Sequence, residues 1–251
     1  MPWLFGWPIL TNPDLNKTFD VALHIGTLTG ALIYFRYDVA RYSIAWLGSV
    51  RTRRMGTADE RIAWALLIGT IPAVIAGASL EGVIQDRLGQ PWLIAGMLLV
   101  FGVVLYAVDK IAPSRRHLDD LGVAHGLILG VGQALALQPG VSRSGVTITV
   151  GRLLTFDRET AARFSFLLSL PVIAGAALYK GLAVARTGIP AAMVGPFIAG
   201  IAASAVSGYL VIAFLLRYLR GHDFALFLWI RIAVALLVFA VIASGSQPAT
   251  I

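Results

Sequence analysis

The sequence predicts an all-α integral membrane protein, a polytopic helical bundle. Three observations carry that prediction. Of 251 residues, 58% are hydrophobic and only 13% are charged, about half the charge of an ordinary soluble domain. The apolar residues gather into long runs that recur along the whole chain, each near the length of about 20 residues that a bilayer-crossing helix needs. The basic residues concentrate in the short stretches between runs, where orientation signals sit. The reading is therefore one integral membrane domain over 1–251, with 1–110 an incomplete first half and 121–244 a second half. Cysteine is absent, which excludes disulfides and thiolate chemistry. The net charge of +7 marks no nucleic-acid partner, because it is spread over the loops between spans rather than along one stripe. Met1 to Pro13 shows no basic region followed by an apolar run, so no cleavable signal peptide is expected.

The runs lie at 19–35, 61–80, 91–108, 121–138, 145–155, 163–180, 191–216 and 224–244. The run 145–155 is too short to cross. Paired with 121–138 across a Pro-Gly-rich stretch, it is expected to form a re-entrant hairpin (121–155) that turns near the middle of the membrane, beside about six full spans. Loop charge agrees. With the hairpin entering and leaving by one face, that face receives Arg36, Arg41, Arg51, Arg53, Arg54, Arg61, Lys110, Arg115, Arg116, Arg152, Arg158, Arg163, Arg217 and Arg220. The other receives Lys17, Arg87, Lys180 and Arg186. A single crossing by the pair would move Arg217 and Arg220 across and weaken the bias. The basic face is read as cytoplasmic.

A repeat is visible within the chain. Phe19, Leu23, Gly30, Ala31 and Tyr34 match Phe164, Leu168, Gly175, Ala176 and Tyr179 in one ungapped register. The proposed topology runs these two segments in opposite senses, as an inverted repeat requires; chance likeness between apolar helices is the alternative. The repeat places the counterpart of the hairpin tip before Met1, apart from a tail near Gly6 to Leu10.

That tip, Pro139-Gly140-Val141-Ser142-Arg143-Ser144-Gly145-Val146-Thr147, carries the chemistry. Polar groups at membrane depth are costly and mark function. Arginine offers five donors in a rigid fork suited to phosphate. Gly140 and Gly145 let backbone amides approach an anion, and the start of the 145–155 helix adds a positive dipole end. Ser142, Ser144 and Thr147 supply hydroxyls as donors, metal-ligand helpers or a nucleophile. The ensemble reads as a phosphate or diphosphate pocket open to lipid. A helix break in which Arg143 merely neutralises carbonyls is the plainer alternative.

Gln133 to Ile148 resembles the second signature of the undecaprenyl-diphosphatase (bacitracin-resistance) family. Phe164 to Pro171, Phe19 to Gly26 with Tyr34 to Arg36, and Gly69 to Ala73 are similar to it in order and spacing. The resemblance implies hydrolysis of undecaprenyl diphosphate, a polyprenyl diphosphate lipid, to undecaprenyl phosphate and inorganic phosphate in the bacterial plasma membrane, with a divalent cation as cofactor. It also implies that Arg143 holds the diphosphate, that Ser142 and Thr147 act as catalytic hydroxyls at the reacting phosphoryl group, and that Gly140, Ser144 and Gly145 help bind substrate; Ser144 could instead cap the helix. The likeness departs at the start. A glutamate-rich signature ending in a Ser-Thr-Gly-His run belongs before Pro13, and its carboxylates would hold the metal or act as general base. Its absence from this sequence raises the expectation of a reading frame begun late, or of a catalytically impaired homologue. A transporter or flippase for polyprenyl phosphate is the rival, since inverted repeats with broken helices also build transporters.

Other polar residues carry weaker signals. His24, in the first span, is a substrate-binding candidate as proton shuttle or phosphoryl acceptor, or else a polar packing residue. Asp20 reads as a helix cap. Arg231, inside the last span, either lines the phosphate cavity or snorkels to the interface. His117 and His125 are too far apart for a helical metal pair, which takes a spacing of about four. Arg51 to Arg54 suit anionic lipid, and Trp46, Trp64, Trp92 and Trp229 suit interfacial belts.

Overall fold

The computed structural model describes residues 13–187 and 193–246. They form nine α-helices: α1 (Pro13–Tyr34), α2 (Arg36–Thr52), α3 (Ala58–Arg87), α4 (Pro91–Ile111), α5 (Val123–Leu135), α6 (Arg143–Leu153), α7 (Arg158–Thr187), α8 (Val194–Tyr218) and α9 (Ala225–Ala243), with a 3-10 turn at Leu118–Asp120. Five helices, α3, α4, α7, α8 and α9, are long and apolar enough to cross a membrane, and the bent pair of α1 and α2 passes the same test only when taken together. The chain is thus an all-α, multi-pass membrane protein. The segment Gly6 to Leu10 lies outside the described residues.

Local sequence sets the helix starts. Thr57 and Glu60 form a capping box before α3: the Glu60 amide donates to Thr57 Oγ1 (3.2 Å), and the Thr57 amide donates to Glu60 Oε2 (2.9 Å). Pro91 opens α4 at the position where a missing N–H costs nothing. Asp157 caps α7 by accepting from the Thr160 amide at 2.8 Å.

Helix α2 corrects the sequence reading, which left residues 36–54 as a basic loop. The chain bends 79° at Phe35, so α2 lies across the end of the bundle. One face sends Tyr42 and Ser49 into the core, while Tyr37, Ile44 and Leu47 stand 60–73% exposed on the other. Charged and apolar residues nearly cancel in its mean hydropathy, so no apolar run announces it. It is an interfacial amphipathic helix, with Arg41 and Arg51 at its rim. Trp46 and Trp64 pack edge to face beneath it, centroids 6.3 Å apart. They brace α2 rather than forming a lipid-facing belt.

The basic residues collect at one end of the bundle. Ion pairs join Arg41 to Asp59 (2.6 Å), Arg163 to Asp38 (2.7 Å), Lys110 to Asp223 (2.6 Å) and Arg220 to Glu159 (2.8 Å). The Lys110 ammonium, together with the Ala225 amide, holds the Asp223 carboxyl below the ordinary carboxylate range. These contacts tie together all the loops that loop charge assigned to one face.

Helices α5 and α6 form the expected hairpin. Its two ends meet: the amides of Arg115 and Arg116 donate to the Thr155 carbonyl (2.9 and 3.1 Å), and the Asp157 amide donates to the Arg116 carbonyl (3.0 Å). The chain therefore leaves on the side from which it came. At the other extreme Gly140 presses on the Ile94 carbonyl, and Gln138 Nε2 donates to the Leu88 carbonyl at 3.3 Å. The tip thus reaches the first turn of α4, deeper than the midplane turn expected from sequence. Successive 3-10 bonds carry α5 on through Gln138 and supply the extra length.

Two features hold the hairpin. Along α5, Gly130 lies so close to α3 that a Cβ there would stand 2.1 Å from the Gly69 carbonyl oxygen. Small residues allow such backbone approach where lipid supplies no hydrophobic drive. At the base, Asp109 of α4 is fully buried between Arg152 Nε (2.9 Å) and Arg158 Nε (2.8 Å). Arg152 also donates to Ser114 Oγ and to the carbonyls of Phe156, Ala112 and Asp109.

The C-terminal end of α1 meets the N-terminal part of α7, with Phe35 and Phe166 ring centroids 6.4 Å apart, so the two helices run in opposite senses. Helix α1 packs on α7 and α8, α3 on α5 and α7, and α4 on α9. The opposed senses of α1 and α7 are those that an inverted repeat of these two segments requires.

The base clamp makes a prediction. Asp109→Ala strands the buried Arg152 guanidinium and lowers unfolding free energy by ~3–5 kcal/mol. Arg41→Ala, which breaks an exposed pair, costs less than ~1 kcal/mol. Thermal unfolding in detergent checks the contrast; equal effects would refute the clamp.

Candidate functional site

The site is built on the N-terminus of α6. Gly140 adopts φ +93°, and any side chain there would collide with the Ile94 carbonyl at 2.3 Å. Ser142 follows at φ +68°, a left-handed value that costs a non-glycine residue about 1–3 kcal/mol and persists only where surroundings enforce it. This backbone turns the chain directly into α6, with Ser142 as N-cap: its Oγ accepts from the Gly145 amide at 3.3 Å. The amides of Arg143 and Ser144, in the first turn, have no acceptor within the helix. They point, with the positive end of the helix dipole, toward whatever occupies the tip.

Two guanidiniums flank this turn. Arg143 has no hydrogen-bond or ion-pair partner for its side chain among the described residues. Arg231 reaches in from α9. It passes Gly102 of α4, where a Cβ would lie 3.0 Å from Arg231 Cδ, and ends against Gly145, where a Cβ would lie 2.6 Å from Nη2. Its Nη1 is buried with no partner. Of the two places the sequence allows Arg231, phosphate site or interface, packing against the two glycines turns it inward, onto the first turn of α6. Behind the tip, Gln133 is 2% exposed with neither amide atom partnered.

The sequence candidates divide. Gly140, Ser142, Arg143, Ser144 and Gly145 come together at the tip. Ser144 is not the cap, a position Ser142 fills, and its hydroxyl has no partner among the described residues. Thr147 lies one turn deeper and is fully buried. Its Oγ1 donates to the Arg143 carbonyl (2.8 Å) and meets Ser165 Oγ of α7 in a short hydrogen bond. It therefore stands behind the nest in this arrangement, and action at a phosphoryl group would require it to release Ser165. His24 is exposed on α1, its Nδ1 2.7 Å from the Asp20 carbonyl, and no described contact joins it to the nest. Asp20 sits within α1 rather than capping it. Ser165 and Gln133 were not singled out by sequence; a polar residue inside an apolar span was the only available signal.

Two unpaired cations and free helix amides suit an anion, and phosphate or diphosphate matches the guanidinium fork. The described residues do not fit a divalent cation. They include no cluster of three or more His, Cys, Asp or Glu, and the arginines at the tip repel one. Ligands for the cation implied by the resemblance would have to come from elsewhere or from the diphosphate itself.

Comparison with known proteins gives a consistent picture. The family model described as "Bacitracin resistance protein BacA" matches residues 2–237. A protein of Pelobacter propionicus named undecaprenyl-diphosphatase is 42% identical over 246 residues, covering 98% of this chain and 88% of that protein. One of the same name from Geobacter sulfurreducens is 45% identical over 233 residues, covering 92% and 84%. A third, from Thermomicrobium roseum, is 42% identical over 250 residues, covering 96% and 88%.

Gly145→Ala tests the convergence of α9 on the nest. The new methyl must push aside the Arg231 guanidinium while improving helix propensity by ~1 kcal/mol. Inorganic pyrophosphate is expected to bind about tenfold more weakly, the worth of one charge-assisted contact, with no fall in Tm. Calorimetric titration measures this, and unaltered affinity would detach Arg231 from the site.

Proposed function

The chain belongs to the bacitracin resistance protein BacA family, and from that premise and the anion nest we propose that it hydrolyses undecaprenyl diphosphate to undecaprenyl phosphate and inorganic phosphate, recycling the lipid carrier of cell-wall assembly. The observation that carries this reading is the pair of unpartnered guanidiniums, Arg143 and Arg231, at the free N-terminus of a helix inside a membrane bundle. An uncompensated charge in such a place is costly, and a polyanion is its natural counterpart.

The polyprenyl chain stays in the lipid while the diphosphate seats at the tip. Amides of Arg143 and Ser144 and the guanidinium forks hold its oxygens. The P–O–P anhydride bond breaks, undecaprenyl phosphate leaves, and the terminal phosphoryl group passes to water or to a serine hydroxyl that water then frees. The transition state spreads charge over the transferring and leaving oxygens, so fixed cations supply most of the acceleration. Ser142 and Ser144 are the hydroxyls within the nest.

The basic end is oriented toward the cytoplasm by the positive-inside rule, and the resemblance supports a bacterial plasma membrane as the site of action. The hairpin tip lies at the opposite level, near the first turn of α4, so the head group arrives from the outer leaflet. The inverted pairing of helices keeps a polyprenyl-phosphate transporter as the second reading.

Phosphate release from undecaprenyl or farnesyl diphosphate by purified protein separates the two readings. Arg143→Ala is expected to lower kcat/KM by at least ~10³, with Arg143→Lys recovering little because the fork is lost. Arg231→Ala lowers it by ~10–100-fold. Release that survives Arg143→Ala would overturn the assignment, and lipid movement across vesicles without hydrolysis would favour transport.

A further inference from the structure

A cavity of about 300 Å³ lies under the interfacial helix α2 among α1, α3 and α7. Its walls are almost wholly apolar, with Leu28, Leu66, Leu167 and Leu170 prominent, and α2 roofs it with Tyr42 and Trp46. It is separate from the nest. Leu167 and Leu170 line it from one face of α7, whereas Ser165, which meets Thr147 of α6, lies on the opposite face.

The roof holds the informative atoms. Tyr42 is 4% exposed, and its hydroxyl has no hydrogen-bond partner. The Trp46 indole N–H is likewise buried and unpartnered. Buried donors are nearly always satisfied, and an orphan pair beside an apolar hollow calls for an acceptor carried by a hydrocarbon ligand. The charges around the roof say which acceptor. Arg163 spends Nη2 on both oxygens of Asp38, and Arg41 spends Nε on Asp59. Each cation is neutralised by its own carboxylate, so the rim offers an anionic phosphate little, in contrast to the nest. Apart from Arg163 Nε, whose charge Asp38 balances, the free donors at the roof are the neutral Tyr42 and Trp46 groups, suited to a neutral carbonyl.

We propose that this cavity binds one fatty-acyl chain of a membrane glycerolipid, its ester carbonyl accepting hydrogen bonds from Tyr42 Oη and Trp46 Nε1. The chain fills the hollow under α2 and continues into the bilayer. The bound lipid packs α2 against α3 and α7 at the basic end of the bundle. This inference stands apart from the hydrolytic reading.

The test is lipid retention. Protein reconstituted in vesicles of phosphatidylethanolamine and phosphatidylglycerol with a small fraction of undecaprenyl phosphate is extracted into detergent, stripped, and weighed by native mass spectrometry. Wild type is expected to keep one diacyl phospholipid per chain. Tyr42→Phe, which removes only the hydroxyl, should lower that retention roughly fivefold, the worth of one hydrogen bond, and leave phosphate release unchanged. Ala63→Phe, which fills the cavity from α3, should abolish retention. The proposal fails if wild type strips as bare as Ala63→Phe, if Tyr42→Phe retains as much lipid as wild type, or if the retained molecule is the polyprenyl phosphate. Loss of phosphate release in every sample would count against the proposed enzyme activity and leave the lipid result standing.

Discussion

A backbone that reverses inside a bilayer must satisfy its polar groups on protein, because lipid offers none. The rest of this structure follows from how the α5–α6 hairpin meets that demand. Its base is sewn to the segments on either side through main-chain bonds at Arg115, Arg116, Thr155 and Asp157. Its length lies against α3 through Gly130 and Gly69. Its tip rests on the Leu88 carbonyl of the α3–α4 connection and on the Ile94 carbonyl in the first turn of α4. With three sides occupied by protein, the amides at the start of α6 are the polar groups left to face a ligand.

The two ends of the bundle treat their cations differently: at the basic end they are paired or stand exposed, and at the hairpin tip they are neither. At the basic end, Arg41, Lys110, Arg158, Arg163 and Arg220 each meet a carboxylate. Around the hairpin tip, Arg143 and Arg231 meet none among the described residues. Paired charges cost little and hold loops in place. Unpaired ones in a low-dielectric setting carry a standing penalty that a bound anion removes. The same contrast separates the nest from the hollow under α2: the first presents free cations and suits a diphosphate, and the second has neutral donors over an apolar floor and suits an uncharged carbonyl.

The nest also shows how strain and packing cooperate. Ser142 holds a left-handed backbone that only its neighbours can enforce, and Gly140 is fixed by contact with Ile94. Thr147 and Ser165 join α6 to α7 directly behind the first turn. The donors that face a ligand are thereby positioned before it arrives, which is how a site made mostly of backbone and arginine can stabilise a spreading negative charge.

Sequence by itself determined the all-α membrane class, the spans, the side on which basic loops gather, the re-entrant hairpin and the identity of its tip. Each rests on a local property, either a continuous apolar run, a count of nearby charges or an uninterrupted motif such as Ser142-Arg143-Ser144. Only the tertiary structure decided the rest. Helix α2 has no apolar run and shows itself only when Tyr42 and Ser49 find a core to enter. His24 is a polar residue in an apolar span yet makes no described contact with the nest, and Thr147 sits inside the motif yet turns toward Ser165. Arg231 lies far along the chain from Gly145 and reaches it because α9 packs on α4 at a glycine. Periodicity and composition report what a segment can bury; which side chains converge depends on which helices touch, and that is fixed by packing across the whole bundle.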